Sequence, residues 1–170
     1  METERLILRK LTEKDINDLV EQGNDYDVHY NSFFLMKFPF ERKEAIEVIN
    51  EDRNSKNMER FGIELKKEKK IIGLLDLYNI NLKSKKLKWG CWIGKKYRRK
   101  GYINEATKTL IRYAFENYAV DEIIATTLTS NEPSMNMLKK IGFVKGNILK
   151  NDRFLEGKYV DSVQFTIKRS

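Results

Sequence analysis

The chain has 170 residues, 41% hydrophobic and 34% charged, with nine glycines and two prolines. This composition excludes a disordered or linker-rich protein and predicts one domain over residues 1–170. The only cysteine, Cys91, excludes an internal disulfide and a multi-cysteine zinc cage, so we expect no metal site and a reducing, cytoplasmic location. Five of the first ten residues are charged, and no stretch approaches the roughly 18 apolar residues of a membrane span, so no membrane segment is expected.

The charge balance favours anionic partners. The 33 Lys and Arg residues exceed the 25 Asp and Glu residues, which gives a formal net charge of +8. Nucleic acid, a ribosome surface or a phosphorylated cofactor would each satisfy this excess. A Cys-His nucleophilic pair is possible only between His29 and Cys91, and Cys91 lies inside an apparent strand, where a buried structural thiol is the usual role.

The first third of the chain predicts one strand and two helices. An apolar run at residues 6–8 indicates a strand, and a helix is expected from residues 12–15 to about Gln22. A second, short helix is expected from Glu41 and ends by Asn54. Residues 25–40 are irregular and aromatic, which predicts a loop with packed aromatic side chains. These aromatic residues are Tyr26, Tyr30, Phe33, Phe34, Phe38 and Phe40.

The remainder of the chain predicts strands first and then an alternation of helices and strands. Three strand-like runs joined by lysine-rich turns indicate an antiparallel meander, and they cover residues 60–65, 71–80 and 87–93. A helix is expected at residues 101–118, a strand at 122–128, a second helix at 132–141 and a closing strand at 159–167. Another strand is expected to start after Gly142. The expected fold class is therefore α/β with one mixed sheet.

The most informative stretch is WIGKKYRRKGYINE at residues 92–105, where a basic cluster meets a helix start. Five cations precede Gly101, and they are Lys95, Lys96, Arg98, Arg99 and Lys100. The first turn of a helix has unpaired N–H groups and a partial positive charge, and glycine allows the backbone to approach an anion. This junction predicts a pyrophosphate site, although a charge run alone is also typical of a solvated turn.

Residues 98–103, RRKGYI, resemble the acetyl-CoA pyrophosphate loop of the GCN5-related N-acetyltransferase (GNAT) superfamily, whose pattern is Gln or Arg, two residues, Gly, one residue, then Gly or Ala. Other segments resemble, in order, the branch that includes the ribosomal-protein N-terminal acetyltransferases (RimJ/RimL-like). They are ETERLILRKLTEKD, IIGLLDL, GCWIGKKYRRKGY, NEPSMNMLKKIGF and the hairpin DRFLEGKYVDSVQFTI. The resemblance covers nearly the whole chain and omits mainly residues 26–57.

The resemblance implies a GNAT-like fold with a mixed, mostly antiparallel central sheet flanked by helices. It also implies direct transfer of an acetyl group from acetyl-CoA to a primary amine, on a protein N-terminus such as that of a ribosomal protein, a polyamine or an amino sugar. Backbone N–H groups where the strand at Trp92 and Ile93 splays away would hold the oxyanion. The implied cofactor-binding residues are Trp92, Ile93, Arg98, Arg99, Lys100, Gly101, Tyr102, Ile103, Asn131 and Ser134.

Two positions depart from the family pattern. Ile103 stands where the family has Gly or Ala, so a β-branched side chain is expected to affect the loop. Leu138 stands where many relatives have a tyrosine that protonates the departing thiolate, and Ser134 is the alternative acid implied by this branch. Because a thiol pKa is about 8.5, expelling the thiolate near pH 7 costs only about 2 kcal/mol. Ser134 is equally interpreted as a helix cap, and Asn131 as a pantetheine contact or a helix-start residue.

The general base is less well defined. Asp76 alternates with apolar neighbours and projects from the opposite strand face, where it would orient a cationic amine or remain a solvent-facing carboxylate. Glu64 on the preceding strand has the same two interpretations. Asp25 and Asp27 would line an acceptor pocket, or their aromatic neighbours simply pack the loop onto the core.

Two non-catalytic alternatives are open from the residues. One is an RNA- or ribosome-binding module that uses the lysines at residues 66–70, 83–88 and 95–100, although no RNA-recognition motif accompanies them, so nucleic acid is not the favoured partner. The other is a CoA-sensing relative without chemistry, suggested by Ile103 and Leu138. A monomer and a homodimer are equally compatible with the pattern.

Overall fold

The computed structural model describes residues 1–32 and 36–169, which form one seven-stranded sheet in the order β1-β2-β3-β4-β5-β7-β6. The strands are β1 (Leu6–Arg9), β2 (Met58–Leu65), β3 (Lys70–Asn81), β4 (Lys86–Ile93), β5 (Glu122–Leu128), β6 (Val144–Leu155) and β7 (Lys158–Lys168). Every neighbouring pair is antiparallel except β4 and β5, which are parallel. The expected mixed, mostly antiparallel sheet is therefore confirmed, and so is the meander of β2, β3 and β4.

Helices cover both faces of the sheet. They are α1 (Ile16–Gly23), α2 (Tyr26–Asn31), α3 (Arg42–Asn54), α4 (Tyr102–Asn117) and α5 (Glu132–Ile141), with short 3-10 turns at Glu13–Asp15 and Lys95–Tyr97. One apolar cluster packs α4 and α5 against the sheet, and it includes Leu75 and Leu77 of β3. The other packs α1 and α3 against the opposite face, and it includes Leu74. Because β3 is buried on both faces, its sequence is a nearly continuous apolar run rather than a strict alternation.

The segment predicted as an aromatic loop contains a helix. Residues 26–31 form α2, and the side chain of Asp25 caps it by accepting a hydrogen bond from the Asp27 amide at 2.9 Å. A helix of six residues is too short to show an apolar period, which is why the sequence pattern missed it. Phe33 and Phe34 lie outside the described residues.

Strand β6 is much longer than the strand start expected after Gly142. It extends over twelve residues and pairs with β7, with irregular register between Lys145 and Ile148 and again between Leu149 and Arg153. Most of its residues are exposed because β6 is the last strand of the sheet. The residues of an exposed edge strand need not alternate between apolar and polar side chains, so the sequence pattern did not reveal the full length of β6.

Within residues 1–32 and 36–169, none of the helices combines the length and the apolar composition needed to cross a membrane.

Candidate active site

The parallel pair β4 and β5 opens into a V. Its ladder runs from Lys86 opposite Glu122 to Trp89 opposite Ala125 and then stops. Beyond that point, β4 continues to Ile93 beside β3, while β5 continues to Leu128 beside β7. The two strands therefore present backbone groups toward each other without pairing directly. This is the divergence expected at Trp92 and Ile93.

A close backbone approach lies under one arm of this V. A Cβ atom added to Gly73 of β3 would lie 2.3 Å from the Trp92 carbonyl oxygen and 2.9 Å from the Ile93 Cα atom. Only glycine allows β3 and β4 to approach so closely. The pairing continues beyond the end of β4, because the Gly94 amide donates a hydrogen bond to the Ile72 oxygen at 2.9 Å. The position of the Trp92 backbone therefore depends on the absence of a side chain at residue 73.

The phosphate loop, our name for residues 98–101, joins the 3-10 turn that follows β4 to the start of α4. Arg99 has a φ of 62° and Gly101, the residue before the helix, has a φ of 81°, so two left-handed residues turn the chain into α4. Arg99, Lys100 and Gly101 are exposed. The first amides of α4 have no partner within the helix, so they and the two cations form a cradle suited to an anion.

The N-terminal segment supports this loop from behind. The Glu105 carboxylate accepts hydrogen bonds from the Thr3 hydroxyl at 2.5 Å and from the Arg5 amide and guanidinium at 2.9 and 2.7 Å. Arg5 also donates to the Lys100 carbonyl oxygen at 3.0 Å. Desolvation alone would raise the Glu105 pKa, but the hydrogen bonds from Thr3 and Arg5 outweigh it and lower that pKa. The sequence pattern placed Glu105 near a helix start and did not reveal this contact.

Arg98 does not direct its side chain to the exposed part of the phosphate loop. Its guanidinium binds Asp25 at 2.6 Å and Asp27 at 3.0 Å, at the start of α2, and its Nε donates to the Ile93 carbonyl oxygen at 3.3 Å. The positive charge of Arg98 is therefore already matched by two carboxylates. The pyrophosphate role expected for Arg98 competes with these contacts.

Ile103, where the family pattern has a small residue, packs on the core side of α4. It is half-buried and contacts the apolar cluster beneath the helix. The side chain contributes to packing, and the Ile103 backbone amide remains in the first turn of the helix.

Asn131 and Ser134 lie at the start of α5, beyond the end of β5. Asn131 is the helix cap, because its side-chain oxygen accepts the Ser134 amide at 3.2 Å. The interpretation of Ser134 as the cap is therefore wrong, and its half-buried hydroxyl belongs to the third residue of the helix. The Asn131 side-chain nitrogen donates to the Asn31 side chain of α2 at 2.8 Å.

Asp76 forms an ion pair below the V. Arg60 binds both of its carboxylate oxygens, at 2.8 and 3.1 Å, and also donates to the Val48 carbonyl oxygen at 2.7 Å. The Arg60 side chain is 9% exposed and that of Asp76 is 25% exposed. Burial alone would lower the Arg60 pKa, but the charges of Asp76 and Glu51 outweigh it and raise that pKa. Asp76 is therefore the counter-ion of a buried arginine, and its carboxylate is partly shielded from solvent.

Glu64 and Cys91 are also committed to structural roles. Arg9 binds Glu64 and, through its other nitrogens, Asp15. The Cys91 side chain packs against the core cluster of α4 and α5. Desolvation, with a smaller contribution from Asp76, raises the pKa of the Cys91 thiol to about 12. A thiolate nucleophile at Cys91 is therefore unfavourable near neutral pH, so Cys91 does not suit the nucleophile's role in a His29–Cys91 pair.

An open cleft of about 370 Å³ lies past the carboxyl end of β5. We call it the acceptor cleft, and its walls include Tyr30, Thr129, Ser130, Lys158, Tyr159 and Asp161. A larger cleft of about 420 Å³ lies at the opposite end of the sheet, away from the V. Its carboxylates bind neighbouring side chains, as Glu59 does with Tyr118 at 2.6 Å, and it lies away from the basic loop before α4.

The basic segments do not form one surface. The turn at residues 66–70 adjoins residues 95–100, because the Tyr97 hydroxyl donates to Glu68 at 2.6 Å and Glu21 lies 3.3 and 3.5 Å from Lys70 and Lys96. The turn at residues 83–86 lies at the other end of β3 and β4. Among the residues that the structure describes, no group of three or more His, Cys, Asp or Glu side chains could hold a metal ion.

Comparison with known sequences agrees with this geometry. The acetyltransferase (GNAT) domain family matches residues 5–144. The chain belongs to the GNAT acetyltransferase family. It is accordingly an N-acetyltransferase with acetyl-CoA as its co-substrate.

Individual relatives are similar along nearly the whole chain. The ribosomal protein uS5-alanine N-acetyltransferase of Escherichia coli is 28% identical, over 95% of this chain and 86% of that one. The structure of a GNAT-family acetyltransferase from Bacillus anthracis has a TM-score of 0.86 at 24% identity, covering 99% and 97% of the two chains. That of spermidine N-acetyltransferase from Vibrio cholerae in complex with CoA and spermine has a TM-score of 0.84 at 23% identity, covering 98% and 96%. These two structures share the fold.

Proposed function

We propose that the protein acetylates an α-amine at a protein N-terminus and acts in the cytoplasm. The observation that supports this is the state of its carboxylates. Both bases expected from the sequence are bound by arginine side chains, Asp76 by Arg60 and Glu64 by Arg9. A carboxylate whose oxygens already contact a guanidinium is not free to contact an incoming ammonium group, so an acceptor that needs little deprotonation suits the site better.

The pKa of the acceptor decides how much help it needs. An α-amine has a pKa of about 7.7 to 8.0, so roughly a tenth of it is neutral and nucleophilic at pH 7. A lysine-like or polyamine ammonium near pKa 10.4 requires roughly 4 to 5 kcal/mol for the same step. The similarity to a ribosomal protein uS5-alanine N-acetyltransferase supports the same acceptor class.

The roles of the site residues are part of this proposal. Backbone amides of Arg99, Lys100, Gly101, Tyr102 and Ile103 bind the pyrophosphate, with the side chains of Arg99 and Lys100 adding charge. Backbone donors at Trp92 and Ile93 stabilise the oxyanion as the amine attacks the thioester carbonyl. Asn131 binds the pantetheine arm, and the Ser134 hydroxyl donates a proton or a hydrogen bond to the departing thiolate.

A polyamine is the second candidate, and carboxylates around the acceptor cleft favour it. Asp161 lines the cleft, Asp25 and Asp27 begin the adjoining helix α2, and Glu156 binds the Tyr26 hydroxyl. Such groups attract a polycation even where each has a partner. The likeness to a spermidine acetyltransferase structure supports the same alternative.

The test compares the two acceptor classes directly. We expect kcat/KM for a short peptide with a free N-terminal alanine to exceed that for spermidine by at least about tenfold at pH 7, as the difference in pKa requires. The same peptide with a blocked N-terminus and one internal lysine is the control. Equal or higher activity with spermidine, or acetylation of the blocked peptide, would contradict the proposal.

Asp76→Asn sharpens this test. Because the substitution leaves the buried Arg60 guanidinium without its carboxylate, we expect about 3 kcal/mol less stability. In the folded fraction, kcat/KM for the peptide should stay within about twofold of the original, since the α-amine does not use Asp76 as its base. A larger fall in kcat/KM of the folded fraction would restore Asp76 as a base or orienting group.

A further inference from the structure

Helix α2 contacts elements far from it in the sequence. At its start, Asp25 and Asp27 bind Arg98 of the phosphate loop. At its end, Asn31 binds Asn131, the cap of α5. A six-residue helix has almost no stability of its own, so tertiary contacts determine where it lies: these polar pairs and the buried Val28 side chain in the apolar cluster of α1 and α3.

The same helix forms a wall of the acceptor cleft. Tyr30 lines the cleft, and Tyr26 donates a hydrogen bond to Glu156 in the turn between β6 and β7. Tyr159, on the facing strand β7, lines the cleft from the other side. The width of the acceptor cleft therefore depends on how firmly α2 is fixed.

Arg98 is the strongest of these attachments. Its contact with Asp25 is short, at 2.6 Å, and the Asp25 side chain is only 14% exposed. A charge-assisted pair that is partly shielded from water is stronger than an exposed one. Its third contact, from Nε to the Ile93 carbonyl oxygen, ties the same guanidinium to the end of β4.

We propose that Arg98 is a positioning residue for the acceptor, which fastens α2 to the end of β4 and holds the wall that carries Tyr30. In this role the side chain acts on the acceptor cleft and not on the pyrophosphate. The phosphate loop still binds its anion through the exposed backbone and the side chains of Arg99 and Lys100. The proposal rests on the proposed function only for the choice of test acceptor.

The test uses Arg98→Gln, because glutamine satisfies the same pattern position as arginine and cannot pair with two carboxylates. Acetyl-CoA affinity, measured by calorimetry, should stay within about twofold, whereas loss of a charge-assisted contact should raise the KM of the alanine peptide about tenfold. Amide hydrogen exchange in residues 26–32 should become faster. The matched control is Arg99→Gln, which should weaken acetyl-CoA binding and leave exchange in α2 unchanged.

Asp25→Asn tests the carboxylate side of the same pair. Asparagine still caps α2 by accepting the Asp27 amide, so the helix start is retained and only the charge facing Arg98 is lost. We expect a rise in the KM of the peptide no larger than that of Arg98→Gln, which also loses the contact with Asp27. Combining the two substitutions should add little to the effect of Arg98→Gln, because that variant already lacks the contact with Asp25.

Two results would overturn the positioning role. One is a loss of acetyl-CoA affinity above about tenfold in Arg98→Gln, since that is the effect of removing a phosphate ligand. The other is unchanged hydrogen exchange in residues 26–32. If the unsubstituted protein does not acetylate the peptide at all, the proposed function fails, and the exchange and calorimetric results still decide the role of Arg98.

Discussion

The phosphate loop and the acceptor cleft lie on either side of the same V and are built differently. The phosphate loop is four consecutive residues before a helix, of which Arg99, Lys100 and Gly101 are exposed, and the binding groups proposed for it are largely backbone amides. The acceptor cleft is assembled from α2, the end of β5 and the β6–β7 hairpin. Its α2 wall is held by pairs 73, 100 and 130 residues apart in the sequence: Arg98–Asp25, Asn31–Asn131 and Tyr26–Glu156.

This difference separates binding of the pyrophosphate from recognition of the acceptor. A pyrophosphate is recognised by a helix start and a glycine, and any sequence that preserves those features retains the site. An acceptor is recognised by side chains that lie on several helices, strands and loops. The distances between these side chains depend on the contacts that fix each element in place. We therefore expect substitutions to fall into two groups, those that alter acetyl-CoA binding and those that alter the acceptor, unless they move the shared strand β4.

The largest effect is expected from Gly73→Ala, which moves the arm that both regions share. The new Cβ would lie 2.3 Å from the Trp92 carbonyl oxygen, so β4 must shift. We expect urea unfolding to show a loss of about 3 kcal/mol, and both acetyl-CoA binding and acetylation to fall. Gly90→Ala is the control on β4, where the nearest atom, on Tyr78, is 3.5 Å away and the change should stay within about 0.5 kcal/mol. Equal stability of the two variants would contradict the close approach.

The next effect, Gly101→Asp, is confined to the phosphate loop. A carboxylate at the start of α4 repels the pyrophosphate, so acetyl-CoA affinity should fall by at least about tenfold in calorimetry. Gly101→Asn is the matched control, because Asn and Asp are the residues that best tolerate a positive φ and only Asp adds charge. If both variants lose the same affinity, the loss comes from the backbone and not from charge near a phosphate.

A smaller effect concerns the pH dependence of the N-terminal support. Because the Glu105 pKa is lowered in the folded protein, the ionised carboxylate stabilises the fold above its unfolded value of 4.5, and this stabilisation is lost as pH falls through the folded pKa. The free energy of unfolding should therefore differ between the original protein and Glu105→Gln at pH 6 to 7, and the difference should shrink below pH 4.5. A difference that is constant from pH 3 to 7 would show that ionisation of Glu105 does not contribute.

The smallest effect on binding is expected from Ile103→Ala. It restores the small residue of the family pattern, so acetyl-CoA affinity should stay within about twofold or improve. Because Ile103 packs against the core, stability should fall by about 1 to 2 kcal/mol in urea unfolding. A large loss of affinity without a loss of stability would mean that the side chain acts at the loop itself.

Only the elements with a regular apolar pattern could be predicted from the sequence. The meander, the helix after Gly101 and α5 were predicted from the spacing of their apolar residues. An element that buries one face repeats apolar residues at a regular interval, and this repeat is visible in its own segment of sequence. Helix α2 and most of β6 were not, because one is six residues long and the other is a largely exposed edge strand. Neither buries a repeating face.

The same limit applies to the site. The phosphate loop was found because its glycine, its cations and the helix start are contiguous, so local backbone chemistry alone determines an anion cradle. Tertiary structure decided the partners of charged side chains: Arg60 with Asp76, Arg98 with Asp25, and Glu105 with Arg5. A charge pairs with whichever opposite charge packing brings within about 4 Å, and that distance depends on the arrangement of whole elements rather than on neighbours in the chain.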